Sequence, residues 1–171
     1  MSLILASDFP STPNDRIAQR MRAAGSNPRI AWIPASTAAA GNFFHEATAH
    51  FSALGFTQLE LVDIDEDRDQ VQIAYLDEFD IVYLAGGDAV RFRYNAIRSG
   101  LSGRLRPCLA AGRLVIGAGG GASLMTPNVA LFRLHEQTVD EVMATRERLN
   151  AFAAVSYELL LEPQGREDCA A

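Results

Sequence analysis

Short, almost continuously apolar runs recur along this chain, separated by longer amphipathic stretches, and that alternation constrains the fold more than any other feature. Leu3 to Ala6 reads as a first strand, Arg29 to Ile33 as a second that Pro34 stops, and Gln58 to Val62 as a third. Ile81 to Leu84 and Leu114 to Ile116 complete a set of five, and a further strand is expected near Tyr157 to Leu161. Between them lie helical patterns. Asn14 is placed to cap a helix ending near Ala24, and Gly25 and Gly55 stop the first two helices. Others are expected over Gln70 to Leu76, Val90 to Ser99, Leu101 to Ala111 and Val139 to Asn150. Strands this apolar, alternating with helices, must be covered on both faces, which implies an α/β fold with a mainly parallel sheet. No linker or repeat divides residues 1–162, read as one domain, and 163–171 reads as a loose tail.

In such sheets functional groups gather at the carboxyl ends of the strands. Two glycine clusters fall there: Gly86-Gly87-Asp88 after the fourth strand, and Gly117-Ala118-Gly119-Gly120-Gly121-Ala122 after the fifth.

Composition removes several function classes. The formal net charge is -6, and the densest basic run (Arg91, Arg93, Arg98, Arg104, Arg106) reads as a solvated helix face, so no nucleic-acid partner is expected. No stretch is long and apolar enough to span a bilayer, and the amino-terminal run lacks the basic flank of a signal peptide, so the expectation is a cytoplasmic protein with no membrane partner. Two cysteines, Cys108 in a helix and Cys169 in the tail, imply no disulfide framework. His45, His50 and His135 lack metal-ligand spacing, and Asp63, Asp65, Glu66, Asp67 and Asp69 lack the glycine and glutamate of a calcium loop, so no metal is expected and the acidic run reads as solvated.

Several segments, taken in order, resemble the dipeptidase E and cyanophycinase family of serine peptidases. Leu3-Ile4-Leu5-Ala6-Ser7 is similar to its first strand and serine-rich loop, and Ile30-Ala31-Trp32-Ile33-Pro34 to its proline-ended second strand. Ile81 to Asp88 is similar to its strand followed by Gly-Gly-Asn, Ile116 to Ala122 to its Gly-x-Ser-Ala-Gly-Ala elbow, and Pro127 to the proline beyond it. The resemblance implies a three-layer α/β/α sandwich, flavodoxin-like, of the class I glutamine amidotransferase-like type.

That family's elbow exposes a serine on a tight strand-to-helix turn flanked by backbone N–H donors. Loss of one such donor typically costs about 3 to 4 kcal/mol of transition-state stabilisation. Against this pattern Gly119 stands in the place of the serine, and Gln164 in the place of the histidine base. Glycine cannot attack a carbonyl and glutamine is no base near neutral pH, so the resemblance implies a relative without activity. Gly86, Gly87, Asp88, Gly117, Gly119 and Gly120 are the candidate ligand-binding residues, Gly87 and Gly120 offering oxyanion-hole N–H groups to a small molecule or short peptide.

Other readings stand beside this one. Ser123, His135 and Glu136 can be written as a rearranged triad of an active hydrolase, although the elbow serves Gly119 and not Ser123. The run Gly117 to Ala122 also fits G-x-G-x-x-A, but it follows the fifth strand, and Asp140, at the distance of the acidic ribose partner, falls in a helix, so no cofactor is expected. Cys108, in a helix without a nearby histidine, is a poor nucleophile. A third reading is an interaction module, a homodimer that covers a sheet edge left open by the missing carboxy-terminal part of the family.

Overall fold

The computed structural model describes residues 2–36, 40–65 and 73–160. Five strands form one sheet: β1 (Ser2–Ala6), β2 (Ile30–Ile33), β3 (Leu59–Leu61), β4 (Ile81–Leu84) and β5 (Leu114–Ala118). All pairings are parallel, in the order β1-β5-β4-β2-β3. The run β3-β2-β4-β5 has the order of a flavodoxin-like sheet, with its switch point between β2 and β4.

Strand periodicity sorts the side chains into two cores. Ala31, Ile33, Val82, Leu84 and Val115 face one cluster, joined by Phe92 and Ala96 of α3 (Ala89–Arg98) and by Leu101, Leu105 and Leu109 of α4 (Leu101–Ala110). Ile30, Trp32, Ile81, Tyr83, Leu114 and Ile116 face the other, against Ala18 and Met21 of α1 (Arg16–Arg22) and Ala47 and Phe51 of α2 (Ala40–Ala53). Burial on both faces explains why β2, β4 and β5 are apolar throughout. The result is the expected α/β sandwich with helices on each side. Past β5 come α5 (Gly120–Leu124), a 3-10 turn (Ala130–His135), α6 (Val139–Thr145) and a second 3-10 turn (Arg146–Leu149). No helix among the described residues is long and apolar enough to cross a membrane.

Several boundaries differ from expectation. Asp15, not Asn14, caps α1, its Oδ1 accepting from Ile17 N–H at 2.7 Å. The helix expected over Val139 to Asn150 tightens into a 3-10 turn at Arg146. The strand expected near Tyr157 does not form over the described residues to Leu160. Just before it, Ala153 adopts φ 51°, off the extended path, and the amides of Ala151 to Val155 bond to carbonyls of Leu124 to Pro127. The helix expected from Gln70 shows only its later part, ending in a 3-10 turn at Tyr75–Glu78, its start lying outside the described residues, as does the tail from 163.

Candidate functional site

The two glycine clusters meet. At the end of β5, Gly119 takes φ 51° and ψ -118°, a conformation that L side chains rarely adopt, and hands the chain directly to α5. Its N–H donates to Ala6 O of β1 at 2.9 Å, and its carbonyl accepts from Ala122 N–H and Ser123 N–H at 2.9 and 3.1 Å. The turn is therefore anchored on both sides, with the geometry of a strand-to-helix elbow.

The four glycines of the run are required for different reasons. A Cβ on Gly117 would lie 2.7 Å from Gly121 O, one on Gly120 would lie 2.0 Å from Gly87 O, and one on Gly121 would lie 2.2 Å from Leu84 O. Gly117 lets the strand end lie against the first turn of α5, and Gly120 and Gly121 let that turn press against the end of β4 and the loop after it. Gly119 differs: its Cβ would sit 3.5 Å from Gly86 Cα and 3.6 Å from Ser7 O, which is ordinary contact. Space for a side chain exists at Gly119, and only there in the run.

Gly87, at φ 117°, leans on Ala35, whose Cβ would be 3.0 Å from a Cβ added at this glycine. Asp88 then caps α3, its Oδ1 accepting from Val90 N–H and Arg91 N–H at 2.8 and 3.0 Å. Its carboxylate is thus engaged in ending the loop. The Gly120 N–H opens α5 and has no intrahelical partner, and the Gly87 N–H makes no backbone bond among the described residues. Gly86, Gly87, Gly117, Gly119 and Gly120 therefore converge as backbone, with Asp88 at the edge.

The alternative triad is not assembled. Ser123 is 2% exposed, and its Oγ has no hydrogen-bond partner among the described residues. His135 turns elsewhere: its Nδ1 lies on Phe132 O, its ring is edge-on to Phe132, and Nε2 is 3.4 Å from Glu136 Oε1. Gln164 lies outside the described residues. Cys108 is buried, and burial with the nearby Asp77 carboxylate pushes its thiol pKa up, away from thiolate chemistry. Among the described residues no group of three or more His, Cys, Asp or Glu could hold a metal ion.

One cluster beside the glycines escaped the sequence reading. The Asp65 side chain, only 11% exposed, accepts from Ser36 Oγ at 2.5 Å and from Asn95 Nδ2, and pairs with Arg91 at 3.4 Å. Asn95 also donates to Ala35 O at 3.0 Å, fixing the loop on which Gly87 leans. Asp65 is therefore a partly buried hub at the switch point and not a solvated side chain, while Glu66, Asp67 and Asp69 of the same run lie outside the described residues. The available signal was Asn95, a polar residue on the buried face of α3 beside Phe92 and Ala96.

Comparison with known proteins agrees with this architecture. The model of peptidase family S51 matches residues 3–160. A crystal structure of a candidate peptidase E protein from Listeria monocytogenes EGD-e superposes with a TM-score of 0.69 at 26% identity, covering 91% of this chain and 76% of that one. No curated protein matches the sequence.

Proposed function

The chain belongs to peptidase family S51, and on that premise we propose that it is a member without hydrolytic activity that holds a small carboxylate, or the end of a short acidic peptide, against the glycine turn. One observation carries the reading: the elbow keeps its backbone conformation and leaves room for a side chain at Gly119, yet that residue supplies no oxygen. Peptide cleavage by such a site needs a nucleophile that attacks the carbonyl and a base that takes its proton. Gly119 supplies neither, and the Ser123 hydroxyl is buried without a base at hand. The Gly87 and Gly120 N–H groups are donors of the kind that receive an oxyanion or a carboxylate. Without the nucleophile they act in binding alone.

Titration calorimetry with Asp-Leu dipeptide and with free aspartate tests the binding half of the proposal. Saturable binding is expected in the native protein. Gly119→Met, which fills the space above the turn, should weaken it at least about tenfold while circular dichroism is unchanged. Binding that is indifferent to Gly119→Met would place the ligand elsewhere and refute the reading.

A further inference from the structure

The two edges of the sheet are built differently. At one edge β3 has only three residues, and its central Glu60 is exposed and paired with Arg29 at 3.0 Å. Short length and charge are the usual guards against edge pairing. At the other edge β1 has none of these guards. Its five residues, Ser2-Leu3-Ile4-Leu5-Ala6, carry no charge and no proline, and they pair with β5 in unbroken register from Ser2 to Ala6. All five are half-exposed, whereas β2, β4 and β5 are buried throughout. Beyond β1 no other described strand follows.

We propose that β1 pairs antiparallel with β1 of a second copy of this chain, joining two five-stranded sheets into one continuous sheet. Three observations select this occupant. The strand is self-complementary about Ile4: a two-fold axis there sets Ile4 against the partner's Ile4, Leu3 against the partner's Leu5 and Ser2 against the partner's Ala6. The faces agree as well, because Leu3 and Leu5 pack toward one core and Ile4 toward the other, so the central Ile4–Ile4 and Leu3–Leu5 pairs are apolar on apolar and Ser2 meets only the small Ala6. A head-to-tail pairing of β1 on β3 would instead meet the Glu60–Arg29 pair, and it would not join two copies by a single two-fold contact.

The pairing also reaches the glycine turn. Ala6 O holds the Gly119 N–H, and Ser7 O lies 3.6 Å from the position of a Cβ on Gly119. In the two-fold register the partner's Ser2 stands beside Ala6, so the second copy forms part of the rim of the site.

Sedimentation velocity at micromolar concentrations should give twice the chain mass, and Ile4→Lys should raise the dissociation constant at least about a hundredfold. Because Ile4 is partly buried, a gentler variant accompanies it. In an antiparallel pair centred on Ile4 the two Cβ atoms lie about 4.5–5.5 Å apart. Ile4→Cys in a Cys169→Ser background should therefore link to itself under mild oxidation or with a short bis-thiol reagent, and Phe43→Cys, on an exposed helix position, should not. A monomeric mass throughout the micromolar range overturns the proposal. So does a dimer that survives Ile4→Lys and gives no cross-link at position 4.

Discussion

Replacing Gly119 and Gly121 by alanine, one at a time, sets two physical arguments against each other. Backbone preference alone ranks Gly119→Ala as the damaging change, since Gly119 sits at φ 51°. It ranks Gly121→Ala as benign, because alanine is favoured over glycine inside a helix by up to about 1 kcal/mol. The packing reverses that order. At Gly119 the new methyl meets nothing closer than 3.5 Å, so only the backbone strain remains, about 1–3 kcal/mol. At Gly121 the methyl would sit 2.2 Å from Leu84 O and 2.8 Å from Ala85 O, backbone atoms at the end of a buried central strand. Relief requires the turn and β4 to separate by about an ångström, and overpacking of this kind exceeds the usual range of about 1–3 kcal/mol. We expect about 4 kcal/mol or more. For a chain of 171 residues each kcal/mol moves Tm by about 2–4 °C. Gly119→Ala should then lower Tm by about 2–12 °C, and Gly121→Ala by at least about 8 °C and more than Gly119→Ala, or prevent folding. Urea and thermal denaturation followed by circular dichroism decide it. If Gly121→Ala proves the more stable of the two, the close approach of the turn to β4, and with it the special status of Gly119, is wrong.

The Tyr83 hydroxyl is buried without a partner, so Tyr83→Phe should be neutral or stabilising by up to about 1–3 kcal/mol in urea denaturation. Burial first, and Asp8 second, push its pKa up from 10, so the folded state resists ionisation; stability present below pH 10 is lost as pH rises above it, and Tyr83→Phe should flatten that alkaline loss. Asp65→Ala should cost about 1–3 kcal/mol by removing the acceptor that Asn95 and Ser36 share, whereas Glu60→Ala, removing an exposed partner of Arg29, should cost less than about 1 kcal/mol. Glu141 closes a capping box, and its backbone and side-chain bonds with Thr138 hold its pKa below 4.5. The stability it adds is present above pH 4.5 and lost as pH falls through the folded-state value, so Glu141→Gln should shorten the acid limb of a stability–pH profile.

Much of the sheet was legible in the sequence because buried parallel strands leave a strong mark. Ile30 to Ile33 and Ile81 to Leu84 are apolar at every position, and Pro34 and Gly86 end them where the strands end. The glycine turn was equally visible, since close backbone packing demands glycine at Gly117, Gly120 and Gly121. The family resemblance singles out Gly119, but that it alone has room for a Cβ needed coordinates, because space around a Cβ is set by residues far away in sequence. Asp65 was misread for the same reason: its partners Ser36, Arg91 and Asn95 lie on other elements, and its neighbours in sequence are acidic. The expected strand at Tyr157 did not form over the described residues: Tyr157 and Leu160 are exposed, and it is the preceding segment, through Phe152 and Ala154, that packs on the core and bonds to the loop after α5.

Hydrolysis of Asp-X dipeptides by the rigorously purified native protein, with Gly119→Ser alongside, tests the absence of a nucleophile most directly. The serine variant should fold, since a Cβ there meets only ordinary contacts. No turnover above background is expected from the native chain. Turnover by the native protein that co-purifies with the folded chain and disappears in Ser123→Ala would contradict it, placing the nucleophile at the buried hydroxyl of α5.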